Sequence, residues 1–340
     1  MSDASQLEVS ETELIQCYLG RVAHTLLQSN WRREQQWVWH VFVPSIAYTS
    51  RTVRYGMMTM AAIFLHFDHK KSCDESSYST KYVDAANFYG NAFVEQSRQQ
   101  LSRLDPSETD ANVACSRLLG GLALAFHREY RSNGMKSDDT AAWKWAHLLR
   151  GVKTVFTSIM TSGQALDPVI LLDMRPESPL GSDPAFPRPN SPVSDSNDDL
   201  LSYIERTKFE RFAALRTMIH YSGLDIDDDQ RTCCLFALES LTNITEQVIA
   251  MNGRSTFRVL GAWIGQLPLD FVYMLENGHD AALAIYSHWL MLLVLAEGFW
   301  IIDDMGRHGI RSILEASEGI ADMERVLRWP REALTFAQVQ

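Results

Sequence analysis

The chain has 340 residues, enough for one large or two modest bodies with a substantial buried core. It carries 42 acidic against 31 basic side chains, a net charge of −11, and its basic spots (Arg51 with Arg54, His69 to Lys71, Arg128 with Arg131) form no long stripe; this argues against direct nucleic-acid binding. Five irregularly spaced cysteines with no CxxC pair signal neither a disulfide framework nor a zinc site, and predict a reducing setting, nucleus or cytoplasm.

The polar, acidic N-terminus lacks the basic and apolar regions of a secretory signal. Ser10 and Glu13 have capping-box spacing, and Leu14, Tyr18, Val22 and Leu26 then form one helical stripe that ends near Asn30 and Trp31. Pro44 suits a first helical turn and opens a helix carrying Ile46, Val53, Met57, Met60 and Phe64. A polar break at 70–79 precedes a helix with Tyr82, Ala85, Tyr89, Phe93 and Leu101. The turn at 105–110 separates it from a helix over 112–130, and a second break at 132–139 from one over 140–160.

Between 175 and 199 the composition changes. Six of the chain's 11 prolines lie there, and so polar a segment has too little apolar surface to offset the entropy of ordering. It reads as a flexible loop, with Ser178 and Ser191 preceding proline as candidate phosphorylation sites. Helices resume over 200–221, 228–251, 256–264 and 268–275, the last stopped by Asn277-Gly278. Residues 281–302 are almost wholly apolar and long enough for a bilayer. Ser287, His288 and Glu297 interrupt the run, acids flank it, and no Lys or Arg cluster sets an orientation, so it reads as a buried core helix. A helix with Ile310, Ile313 and Leu314 follows, then a short one ending near Trp329-Pro330. With no period-2 run the fold class is all-α: 1–174 form the N-terminal half, 175–199 the loop, and 200–332 the C-terminal half with the candidate ligand pocket.

Asp303-Asp304, Asp227 to Asp229 and Asp198-Asp199 invite a comparison with terpene synthases, whose Asp-rich helices hold magnesium pyrophosphate. The DDxxD spacing fails after Asp304, Arg206 stands where the second motif needs Glu, and the order is reversed; the acids read as helix caps and first-turn residues. His66, Asp68 and His69 have metal-compatible spacing but no further ligands, and read as a solvated helix end. His127 with Glu129, and the scattered His24, His40, His220 and His308, carry no pattern. No GxSxG, Walker A, GxGxxG or HExxH motif occurs, and neither cofactor nor metal is predicted. What stands out is aromatic and methionine content between Trp263 and Trp300, which suits core packing and adaptable apolar pockets alike.

The order of segments resembles a known family. Trp39 with Pro44-Ser45-Ile46-Ala47, the helix from Tyr82 to Tyr89, the block from Trp145 to Val152, and the sequence Trp263, Pro268, Phe271, Trp300, Gly306, Ile310, Trp329-Pro330 are similar to the fungal-specific transcription-factor regulatory domain. That domain lies C-terminal to binuclear zinc-cluster DNA-binding modules; the likeness is to the sterol-uptake-control type and covers about residues 12–332. The resemblance implies an all-α regulatory domain, often a homodimer, that binds an apolar small molecule among its last helices. Carried to this chain, the ligand-binding residues are Phe271, Met274, His288, Trp289, Leu292 and Trp300. The family's six-cysteine module has no counterpart here. The chain is therefore expected to act through a DNA-binding partner protein, to be encoded downstream of such a module, or to stand alone as a cyclase or isomerase acting on a pathway intermediate.

Overall fold

The computed structural model describes residues 7–26, 37–72, 80–103, 105–132, 151, 157–158, 195–221, 226–251, 261, 263–297 and 299–336. Among these the fold is all-helical, without strands. Most of the expected helix over 140–160, most of the block from Trp145 to Val152, and most of the 175–199 loop, with Ser178 and Ser191, lie outside the described residues, as do the side chains of His127 and Glu129. The chain divides into two compact units, Met1–Phe126 with Gly151–Pro176, and His127–Arg150 with Glu177–Gln340.

In the first unit, α1 (Glu11–Cys17) starts where Ser10 accepts a hydrogen bond from the Glu13 N–H at 3.1 Å. The Glu13 carboxylate accepts from the Tyr82 hydroxyl at 3.1 Å, so it ties the helix start to a neighbour. Pro44 lies in the first turn of α2 (Val43–Thr49). One continuous helix was expected beyond it, but Ser50 is extended (φ −97°, ψ 113°) and breaks the run. Its hydroxyl caps α3 (Arg51–Ser72) by accepting from the Val53 N–H, and Arg54 donates back to the Ala47 and Tyr48 carbonyls that α2 leaves open. α4 (Lys81–Arg103) packs along α3, and Gly56 gives the ring of Phe93 room. The 105–110 turn is one 3-10 turn capped by Asp105, followed by α5 (Thr109–Ser132). His66 is buried, contrary to the expected solvated helix end, because it lies on the apolar face of α3 beside Ile63 and Phe67.

In the second unit, α6 (Asp195–Tyr221) starts within the stretch expected to be loop. α7 (Asp228–Ala250) has a full capping box: Asp227 accepts from the Gln230 N–H at 2.7 Å, and Gln230 accepts from the Asp227 N–H at 3.2 Å. α8 (Leu269–Glu276) ends in a Schellman turn, with Gly278 at φ 68° and the His279 N–H bonded to the Met274 carbonyl at 2.9 Å. α9 (Asp280–Val294), α10 (Met305–Ala316) and α11 (Ala321–Ala333) complete the unit. Pro330 does not end α11, which continues to Ala333.

α9 is the centre. It contacts α6, α7, α8, α10 and α11, and every residue in it is buried except Asp280 and Leu283. It is shorter than the 281–302 run. After Val294 the chain tightens into i→i−3 bonds, from the N–H groups of Leu295, Ala296 and Glu297 to the carbonyls of Leu292, Leu293 and Val294. Its 15 residues span about 22 Å, well short of a bilayer core, and no helix among the described residues is long and apolar enough to cross a membrane. α10 lies close against α9 because Gly306 faces the Leu290 carbonyl and the Val294 N–H, each 2.9 Å from where a Cβ would stand.

Those neighbours are backbone atoms and can yield only by moving a helix. Gly306→Ala is expected to destabilise the protein by about 1–3 kcal/mol in urea unfolding. Gly20→Ala, with nothing within 4 Å, should be neutral or stabilising.

Candidate ligand site in the second unit

All six residues singled out in the sequence are buried: Phe271 and Met274 on α8, His288, Trp289 and Leu292 on α9, and Trp300 in the turns that follow. Phe271 and Trp289 meet through Trp263, whereas the ring nearest His288 is Trp329. Successive residues of a helix point about 100° apart, so His288 and Trp289 face different neighbours.

On the Trp289 side an aromatic stack forms. The rings of Tyr286 and Trp289 lie 5.3 Å apart at 23°, and those of Trp289 and Trp263 lie 5.5 Å apart at 26°. Phe271 meets Trp263 edge-on at 6.3 Å. Trp263 therefore joins Phe271 to Trp289, and its indole N–H donates to the Ala237 carbonyl on α7 at 3.1 Å. The stack is apolar over its ring faces, with the Trp263 indole N–H satisfied at one edge.

The His288 side is polar. Its Nδ1 lies 2.8 Å from the Ala284 carbonyl, which can only accept, so Nδ1 carries the proton and Nε2 the lone pair. Nε2 has no partner, although His288 is only 1% exposed. Burial first, and then the positive charge of Arg211, bring the His288 pKa down to about 3, so the ring is neutral. Trp329 of α11 stands 6.2 Å from it, centroid to centroid.

Arg211 on α6 is the residue that the sequence reading missed. It is 0% exposed. Its Nη2 donates to the Ile204 carbonyl at 3.3 Å and its Nη1 approaches the Met291 thioether at 3.7 Å, a weak acceptor. Its Nε has no partner. Burial lowers its pKa to about 10, which still leaves it charged at neutral pH. No carboxylate among the described residues pairs with it. A signal was present: Leu200, Ile204, Arg211, Leu215 and Met218 fall on one helical stripe, and Arg211 is the charge in it. Tyr203, one helical turn before Thr207, donates its hydroxyl to Glu332 at 2.7 Å, and burial pushes its pKa up, so it is a neutral phenol.

The other buried arginine of this unit is fully engaged. Arg307 Nε bonds Glu297 at 2.7 Å, and its two Nη atoms cap the Leu334 and Phe336 carbonyls at 2.9 and 2.8 Å beyond the end of α11. This accounts for Glu297 within the apolar run: it is the counter-ion of a clamp. Its pKa is nonetheless raised, by burial above all, with the Arg307 hydrogen bond opposing. The aspartates form no metal centre. Asp227 caps α7, Asp228 and Asp229 lie in its first turn, and no group of three or more potential ligands occurs among the described residues.

Removing Arg307 would strand a buried carboxylate, so Arg307→Met is expected to cost about 3–5 kcal/mol in thermal or urea unfolding. His288 adds a pH dependence. Below its ordinary pKa of 6.5 the unfolded chain takes up a proton that the folded chain refuses until about pH 3. Stability should thus fall as pH drops through that window, by up to roughly 1.4 kcal/mol per pH unit from this group. His288→Asn, whose amide retains a donor for the Ala284 carbonyl, should lose that slope. No protein-family model and no curated protein sequence matches this chain.

Proposed function

We propose that the chain is a regulatory protein of the transcription-factor type that senses an apolar small molecule in its second unit. It acts on DNA through a partner protein, or as a homodimer with one, in the nucleus or cytoplasm. The observation that carries this reading is the buried Trp263, Trp289 and Tyr286 stack beside Phe271. It is an aromatic, apolar cluster inside a helical core, the chemistry that suits apolar ligands. The order of segments quoted above supports the regulatory half of the reading, and the net charge of −11 supports contact with DNA through another protein.

A second reading has its own observation. A neutral imidazole with a bare Nε2 beside a guanidinium is a proton acceptor beside an oxyanion partner, the parts of an isomerase or cyclase site. A base with a pKa of about 3 is a weak one, however, and that favours binding over proton abstraction.

Titrating the purified chain with a panel of sterols and linear apolar molecules, while following tryptophan fluorescence and melting, tests the reading. A ligand at a hundred times its Kd should stabilise the protein by about 2.7 kcal/mol, a rise of several degrees in Tm, and perturb the Trp263 and Trp289 emission. Unchanged fluorescence and Tm across the panel would count against it. Turnover of a panel member would favour the enzyme.

A further inference from the structure

We propose that the ligand of the second unit is an organic acid with an apolar body, whose single carboxylate pairs with the guanidinium of Arg211. This rests on the reading of that unit as a binder of an apolar small molecule, and names the ligand's class.

A buried guanidinium without a counter-ion is among the costliest arrangements a core can hold, and a well-packed apolar residue in its place is often more stable. The same unit shows how the chain treats an arginine of purely structural use: Arg307 has a carboxylate and two carbonyls around its nitrogens. Arg211 has one carbonyl, already within a helix, and a thioether, and its Nε–H points at no acceptor. Of the two buried atoms left open here, the Nε–H of Arg211 on α6 is a donor and the Nε2 of His288 on α9 an acceptor, and a carboxylate answers the first.

The charges there limit the ligand's acidic group to a single negative charge. His288 and Tyr203 are neutral, and the exposed Glu332 is occupied by the Tyr203 hydroxyl. The local charge to be balanced is the single one of Arg211. A monocarboxylate matches it, whereas a phosphate dianion would leave one charge uncompensated in an apolar core. The neighbours of Arg211 and His288, namely Met291, Phe212 and Trp329, offer apolar contact to the rest of the molecule.

The test uses the full chain and matched pairs of probes that differ only in the head group: dodecanoate against dodecanol, and 1-naphthylacetate against 2-(1-naphthyl)ethanol. Affinities are read from tryptophan fluorescence and Tm. In at least one pair the acid should bind about ten-fold or more tighter than the alcohol. Arg211→Met should bring the two within about two-fold of each other, with Tm equal or higher, which a merely structural arginine would not allow. If the Met variant does not fold, Arg211→Gln takes its place in the same comparison. Equal affinity for acid and alcohol in the unaltered chain overturns the carboxylate while leaving the apolar ligand standing. No binding in either pair overturns both. An acid preference that persists without Arg211 overturns the assignment to this residue.

Discussion

A helix without a polar face has no place on a surface, and α9 is such a helix. Burying its side chains supplies a large apolar driving force, of order 2 kcal/mol for each large one, but only if neighbours enclose it on every side. α6, α7, α8, α10 and α11 do so. Each approach is set by a local choice of residue. Gly306 lets α10 in to backbone distance, Gly309 makes room for the Leu290 side chain, Trp263 reaches the Ala237 carbonyl of α7, and Arg307 fastens the far end of α11 to the turn that follows α9. Enlarge a glycine or cut the clamp and the enclosure opens, exposing a surface that has no other use.

Enclosure also raises the stakes for each polar atom inside. Ser287 sends its hydroxyl to the Ala284 carbonyl, and Thr245 sends its own to Leu241, so neither asks anything of its surroundings. Glu297 and Arg307 answer each other. Other buried atoms also lack a hydrogen-bond partner, Tyr18 Oη and Glu297 Oε1 among them, but the Nε of Arg211 belongs to a guanidinium that no carboxylate among the described residues answers, and the Nε2 of His288 lies on a helix packed against α6. Both belong to helices that pack directly together, and both sit where an apolar residue would serve the core better. An arrangement that costs folding energy and brings no structural return is the usual mark of a site reserved for something else.

Much of this architecture is legible in the sequence where the cause is local. Ser10 and Asp227 announce helix starts through the reach of their own side chains, Pro44 through its fixed φ, and Asn277-Gly278 a stop through its tolerance of positive φ. Legibility fails where the decision is tertiary. The apolar stripe runs on through Ile46 and Val53, so the break at Ser50, secured by Arg54 from the next helix, leaves no trace in periodicity. Apolarity from 281 to 302 reports burial, not helix, and the helix stops at Val294 while burial continues through Ile302. The candidate site divides the same way. That Phe271, Met274, His288, Trp289, Leu292 and Trp300 are interior follows from their company; that Trp289 faces Trp263 while His288 faces Arg211 and Trp329 does not. Arg211 escapes a reading that sorts residues by type, because a contact across 80 positions of chain is what makes it part of the core.

The same burial sets what the site does and what it does badly. Removing water strengthens any charge pairing at Arg211, because the competing solvent dipoles are gone. It also strips His288 of basicity, through desolvation and the adjacent positive charge. A site that gains in ionic recognition thereby loses in proton abstraction, and both changes have one source. Moving Arg211 to the surface would lift only the lesser of the two causes that lower His288, since burial is the larger. In the reading proposed above, such an arrangement would trade reactivity for affinity, the balance a sensor needs and the opposite of what an acid–base enzyme requires.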